Sequence, residues 1–187
     1  MNQHKIALLD LGGVVFQSTG VSNKKINWDI ISRLNKKYGN ELSLGEDKFP
    51  DFLVEYNKLS NQSLSGQKFL EEIWQTLEMN TELVEIVRAQ SDIIIVSDNY
   101  RENIDYVSKK YNFNDWSIQQ IYSFDYKMLK SNPDFFKRLI TDIDDYSVGE
   151  MIFIDDSIKK IESAAKSGIK GILYQDNEQI RKHFHIK

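Results

Sequence analysis

The sequence predicts an α/β fold: a parallel sheet with helices on both faces and an inserted helical segment. Three observations predict it. Short apolar runs rich in β-branched residues recur without alternation, as strands covered on both faces do. Helix-like stretches separate the later runs, which implies βαβ units. Residues 21–90 break the rhythm, holding no strong strand run but several apolar periods at helical spacing.

The first strand is Ile6-Ala7-Leu8-Leu9, ended by Asp10 and then Gly12-Gly13. In the insertion, Ile26, Ile30, Ile31 and Leu34 recur at helical spacing, as do Phe49, Phe52, Leu53 and Tyr56. Phe69, Leu70, Ile73, Trp74 and Leu77 do the same, and about four helices are expected in all. With no Pro/Gly-rich linker, the insertion should join through short connections near residues 17–23 and 88–91. The second strand is Ile93-Ile94-Ile95-Val96. Ser97-Asp98-Asn99 then supplies capping residue types for a helix over 100–111. A weaker third run is Gln120-Ile121-Tyr122. Pro133, a favoured first helical residue, opens a helix over 133–140. Met151-Ile152-Phe153-Ile154 is the fourth strand. A helix over 157–167 follows, with Ile158, Ile161, Ala164 and Ala165 on one face and Gly168 as its stop. Gly171-Ile172-Leu173-Tyr174 is the fifth strand.

Composition narrows the chemistry. The 187 residues contain no cysteine, which removes disulfides, thiol nucleophiles and cysteine metal sites. The 3 histidines, His4, His183 and His185, lie at the chain ends, which argues against a histidine general base, a Ser-His-Asp triad or a histidine metal cage. A net charge of −4 argues against broad nucleic-acid binding. No apolar run is long enough to span a bilayer, so no membrane partner is expected. Met1-Asn2-Gln3-His4-Lys5 lacks a signal-peptide layout, which predicts a cytoplasmic protein. Gly12-Gly13 is not part of a dinucleotide-binding fingerprint. The aromatics of the insertion (Trp28, Phe49, Phe52, Tyr56, Phe69 and Trp74) read as core, given their helical spacing.

Ligands of open α/β sheets bind at the carboxyl ends of the strands. Asp10, Ser97, and Asp155 with Asp156 fall there, and Lys130 lies a few residues past the third strand. The three carboxylates converge if the first and fourth strands are neighbours, and they then need protons or a cation between them. An all-oxygen donor set favours Mg²⁺ or a similar hard ion. Lys130 and the Ser97 hydroxyl could hold an anion beside it. That combination describes phosphoryl transfer, in which a carboxylate can be the nucleophile.

Four segments carry a resemblance to a known family. They are Leu8-Leu9-Asp10-Leu11-Gly12-Gly13-Val14-Val15-Phe16, Ile94-Ile95-Val96-Ser97-Asp98, Lys130-Ser131-Asn132-Pro133-Asp134-Phe135-Phe136, and Phe153-Ile154-Asp155-Asp156-Ser157. In order and spacing the chain resembles the haloacid dehalogenase-like (HAD) hydrolases, and among them the small phosphatases with a helical cap after the first strand. The resemblance implies a Rossmann-like core over 1–20 and 91–187 and a helical cap over 21–90. It implies Asp10 as nucleophile and metal ligand, with the Gly12 carbonyl, Asp155 and Asp156 completing an Mg²⁺ site. It implies that Ser97 hydrogen-bonds the phosphoryl group and that Lys130 offsets its charge. Phe16, Gln17 and Ser18 stand where the cap would join the nucleophile loop and are the candidate substrate-facing residues. The substrate would be a small phosphorylated metabolite, a sugar phosphate by resemblance alone. The oligomeric state is left open.

Three departures from the family pattern stand out. Gly12 occupies the place of the usual acid/base aspartate, although a branch of sugar-phosphate phosphatase-like members resembles this chain in carrying Asp-Leu-Gly there. Acid–base help is worth ~10²–10⁴-fold, so slower turnover is expected. Ser131 replaces the proline that usually follows the motif lysine. Lys160 and Asp98 both stand where asparagine is common. The competing readings are a metal-independent 2-haloacid dehalogenase, which the acidic pair disfavours, and a non-catalytic or regulatory protein on the same fold, which Gly12 favours. A receiver domain would share the carboxylates, hydroxyl and lysine, but would carry its acidic pair after the first strand.

Overall fold

The structure is a computed structural model that describes residues 5–186. His4 and the N-terminal Met1–His4 segment lie outside the described residues. In chain order the strands and α-helices begin with β1 (Ile6–Leu9) and β2 (Phe16–Ser18). There follow α1 (Trp28–Ser43), α2 (Phe49–Ser60), α3 (Gly66–Trp74), β3 (Leu77–Met79) and α4 (Thr81–Arg88). The chain continues through β4 (Asp92–Ser97), α5 (Arg101–Tyr111), β5 (Gln119–Tyr122), α6 (Ser123–Tyr126) and α7 (Pro133–Asp142). It closes with β6 (Met151–Asp155), α8 (Ile158–Ala165), β7 (Lys170–Leu173) and α9 (Asn177–His183).

The five predicted strands form one parallel sheet in the order β5-β4-β1-β6-β7. Strand alternation sorts their side chains into two buried clusters. Ala7, Leu9, Ile93, Ile95, Ile152 and Ile154 face one way, with Leu83, Val84 and Val87 of α4, Ile104 and Val107 of α5, and Ile180 of α9. Ile6, Leu8, Ile94, Val96, Met151 and Phe153 face the other way, with Phe135, Phe136 and Leu139 of α7 and Ala164 of α8. Burial on both faces is why these strands read as continuous apolar runs. The central strand β1 pairs with β4 on one side and β6 on the other, with Leu9 opposite both Ile95 and Ile154. The chain therefore reverses its direction of sheet growth at β1, the switch point where a ligand crevice is expected.

The structure corrects several expectations of detail. Two three-residue strands, β2 and β3, pair antiparallel, with Phe16 opposite Met79 and Ser18 opposite Leu77. Leu77 is thus a strand residue rather than the end of a helical stripe, and the segment from α1 to α3 is entered and left through this pair. Ser97, Asp98 and Asn99 do not cap α5 through their side chains. Its N-cap is Tyr100, with no side-chain cap bond. On α8, Ile158 is 56% exposed and Ala165 is also exposed. The helix begins just past the end of β6, at the sheet's carboxyl edge, which leaves Ile158 at its first position open to solvent. Trp28 is 46% exposed, whereas Phe49, Phe52, Tyr56, Phe69 and Trp74 are buried as expected. Gly168 does stop the helical segment, with φ +83°.

Candidate active site

Asp10 follows β1, and its backbone N–H donates to the Ile154 carbonyl at 3.1 Å. Extending the β1–β6 register by one residue sets Asp10 beside Asp155, the last residue of β6. Both side chains are buried. Asp10, Asp155 and the exposed Asp156 each offer a carboxylate oxygen within 4.8 Å of the others. The parallel sheet thus brings together the three aspartates that lie far apart in sequence.

Lys130 is fully buried, and its ammonium spans the pair. It lies 2.6 Å from Asp10 Oδ1 and 2.7 Å from Asp155 Oδ2, and donates to the Val96 carbonyl at 2.9 Å. Its backbone N–H donates to Asp98 Oδ1 at 2.9 Å, so Asp98 ties down the loop in which Ser131 stands in place of proline. Ser97 ends β4 and is buried, two strands from Asp155. Lys160, on the first turn of α8, places Nζ 3.5 Å from Asp10 Oδ2, 3.7 Å from Asp98 Oδ2 and 3.8 Å from Asp155 Oδ2. Two lysines therefore face the carboxylates, where sequence reasoning named only Lys130 as a site residue.

The charges polarise the two buried aspartates in opposite directions. Burial would raise the Asp10 carboxyl, but Lys130, Lys160 and the Leu11 N–H, which donates to Oδ1 at 2.9 Å, hold it below its ordinary value. These partners favour the carboxylate form of Asp10. Burial pushes Asp155 up to about 6 against the pull of Lys130, and the neighbouring Asp10 charge adds to the rise. Burial works against the charge on Lys160, but Asp10, Asp155, Asp98 and Asp156 together keep its pKa above the ordinary lysine value.

The loop after Asp10 is tight. Phe16 N–H donates to Leu11 O at 2.7 Å and Gly13 N–H to Phe16 O at 2.9 Å. Gly13 sits at φ +75°, and a Cβ there would collide with the Asp156 carboxylate, so glycine is needed for this close approach. Gly12 has no such constraint, since a Cβ there would meet nothing within 4 Å.

Beside this loop opens a cleft of about 450 Å³. Gly12, Gly13, Phe16, Gln17 and Ser18 line one side, with Trp28, Trp74 and Leu77 of the insertion and Asn99 and Asn103 of the core. Phe16 is largely a packing residue, its ring 4.8 Å from those of Trp74 and Tyr111. Gln17 Nε2 donates to the Tyr174 hydroxyl at 3.1 Å, and Ser18 Oγ accepts from Gly20 N–H at 3.2 Å. The cleft's polar wall is a chain of hydrogen bonds. Trp74 Nε1 donates to Asn103 Oδ1 at 2.8 Å, and Asn103 Nδ2 to Asn99 Oδ1 at 2.9 Å. Sequence reasoning missed Trp28, Asn99 and Asn103 as cleft residues. Only the capping types at Ser97-Asp98-Asn99 hinted at a polar strand end.

The donor set fits a hard divalent cation, with three close carboxylates and, among the described residues, no histidine or cysteine in the cluster. Asp10, Asp155 and Asp156 are the side chains that would hold it.

Among solved structures, the chain is similar to a HAD family enzyme from Bacteroides thetaiotaomicron. The TM-score is 0.75 at 19% identity, covering 97% of this chain and 98% of that one. A structure of that enzyme in complex with magnesium and inorganic phosphate matches with a TM-score of 0.68 at 20% identity, covering 92% and 94%. A 2-haloacid dehalogenase from Pseudomonas syringae pv. tomato is also similar, with a TM-score of 0.57 at 12% identity, covering 91% and 86%. At these identities the likeness is one of fold. No curated protein matches the chain. A family profile described as haloacid dehalogenase-like hydrolase matches residues 16–174. With most of its length inside that match, the chain belongs to the haloacid dehalogenase-like hydrolase family.

Proposed function

We infer that this hydrolase is an Mg²⁺-dependent phosphatase acting on a small phosphomonoester through an aspartyl-phosphate on Asp10. The observation that carries this reading is the ammonium of Lys130 between Asp10 and Asp155, with Asp156 close by. One lysine and three aspartates make a site that suits a metal ion and a phosphoryl group together. The solved complex of the Bacteroides enzyme with magnesium and inorganic phosphate supports it by analogy. When bound by Asp10, Asp155, Asp156 and the Gly12 carbonyl, Mg²⁺ supplies positive charge against the phosphoryl oxygens.

In this mechanism Asp10 attacks phosphorus in line as the bond to the substrate oxygen breaks. The Ser97 hydroxyl donates to a phosphoryl oxygen, and Lys130 offsets the charge that builds up there. With Gly12 in place of an acid, the leaving alkoxide takes its proton from water or from the substrate itself. Water then attacks phosphorus, releasing inorganic phosphate and free Asp10. The helices α1–α3, entered and left through β2 and β3, act as the cap. We group α4, the last helix of the expected cap range, with the core, because it packs against β4 and α9. Phe16, Gln17 and Ser18 act at the junction, and the substrate's organic part lies in the cleft beside Trp28 and Asn103.

An aryl phosphate assay with and without Mg²⁺, on wild type and Asp10→Asn, tests the reading. Metal-dependent turnover that the variant abolishes supports it. Turnover unchanged by metal removal, or equal in the variant, overturns it. A second reading, a non-catalytic protein on this fold, is favoured by Gly12 alone.

A further inference from the structure

We propose that Lys160 is a built-in competitor of the divalent cation, an ammonium that contests Asp10 Oδ2 and sets the metal affinity low. The proposal rests on the reading of Asp10, Asp155 and Asp156 as the metal site. The two oxygens of Asp10 have different partners. Oδ1 is held by Lys130, which is fully buried and fastened to three acceptors at 2.6–2.9 Å. Oδ2 faces Lys160 at 3.5 Å, beyond the 2.7–2.9 Å of a tight charge-assisted hydrogen bond. The oxygen left for a metal ion is therefore the one beside which Lys160 stands. The same ammonium lies 3.8 Å from Asp155 Oδ2, so it approaches two of the three carboxylates.

Lys160 also has somewhere else to go. Its side chain is 22% exposed, unlike that of Lys130. Asp98 Oδ2 lies 3.7 Å from its Nζ, and Asp98 is anchored through its other oxygen by the Lys130 backbone N–H. Asp98 belongs to no metal-ligand set in this site. Metal binding would shift Lys160 off Asp10 and onto Asp98, and metal loss would let it return. The ammonium thereby keeps Asp10 charge-balanced without the metal, at the cost of weaker metal binding.

Isothermal titration of Mg²⁺ into wild type, Lys160→Gln, Lys160→Met and Lys160→Arg tests this without any substrate. Removing a nearby like charge should tighten Mg²⁺ binding ~10-fold or more in the two neutral variants. The charge-conserving Lys160→Arg should stay near wild type, which a merely structural role would not predict. Each variant's fold is checked by circular dichroism, and either neutral variant alone suffices. Mg²⁺ affinity that is equal or weaker in the folded neutral variants overturns the role of Lys160 but leaves the metal site standing. Mg²⁺ binding to none of the four proteins overturns the metal site, and the proposal with it.

Discussion

Lys130 Nζ lies 2.7 Å from Asp155 Oδ2, with neither side chain exposed to solvent. Removing one partner of a buried pair leaves an uncompensated charge, which costs ~3–5 kcal/mol. Lys130→Met strands two carboxylates, Asp10 and Asp155, so it should lie at the upper end of that range in urea unfolding. On the proposed phosphatase reading, turnover should fall by ~10²–10³-fold, as for loss of a group that stabilises developing charge. Adding Asp155→Asn should recover part of the lost stability but none of the activity. A Lys130→Met protein as stable as wild type would show that the pair is not the buried brace described above.

Gly13→Ala addresses the close approach of the loop to Asp156. At φ +75° an L side chain costs ~1–2 kcal/mol, and the new methyl also drives into the Asp156 carboxylate. Thermal unfolding should show that loss. Mg²⁺ affinity should fall ~10-fold if the displaced carboxylate belongs to the proposed ligand set. Unchanged Mg²⁺ affinity in a folded Gly13→Ala protein would remove Asp156 from the ligand set.

The parts of this fold that were legible in the sequence are those buried on two faces. Ile93-Ile94-Ile95-Val96 reads as a strand because helices cover both sides of it. The strands β2 and β3 were not legible. Each is three residues long, and Leu77 satisfies the helical stripe begun at Phe69 as well as the strand it joins. Asp10, Asp155 and Asp156 could be placed at strand ends, but whether they met depended on β1 and β6 being neighbours, a long-range pairing that no local pattern specifies. Lys160 was harder still. Only the geometry of the first turn of α8 turns its ammonium toward carboxylates on β1 and β6. Trp28 reads as core in the sequence but lies on the cleft, 46% exposed, because helical spacing marks a face without saying whether a core or a cleft lies against it.

Glu72 gives a prediction in pH. Its buried carboxylate accepts from Asn23 Nδ2 at 2.9 Å and meets Lys25 at 2.9 Å and Lys68 at 3.2 Å, which ties the segment before α1 to α3. The hydrogen bonds from Asn23 and Lys25 lower its pKa from 4.5 to about 2. A pKa lower in the folded state means stability that is present above the unfolded value and lost as pH falls through the folded one. Glu72→Gln should therefore be less stable than wild type by a constant margin at neutral pH. That margin should shrink as pH falls from 4.5 toward 2. Thermal unfolding across this range checks it, and a margin independent of pH would show that the ionised carboxylate contributes nothing.

Gly12→Asp tests whether the missing acid limits the enzyme. The position is open, with nothing within 4 Å of a Cβ and no left-handed φ to forbid a side chain. Stability should therefore change by no more than ~0.5 kcal/mol, as for a surface substitution free of strain. The new carboxyl would stand two residues from Asp10, on the wall of the cleft proposed to take the substrate. A carboxyl there should raise turnover of substrates with poor leaving groups by up to ~10²–10⁴-fold, while aryl phosphates, whose leaving groups need no proton, should gain little. The contrast between the two substrate types separates acid catalysis from a general change in the site. A variant that stays folded and gains on neither would mean that proton transfer is already supplied by water or substrate, and that Gly12 is not what limits the enzyme.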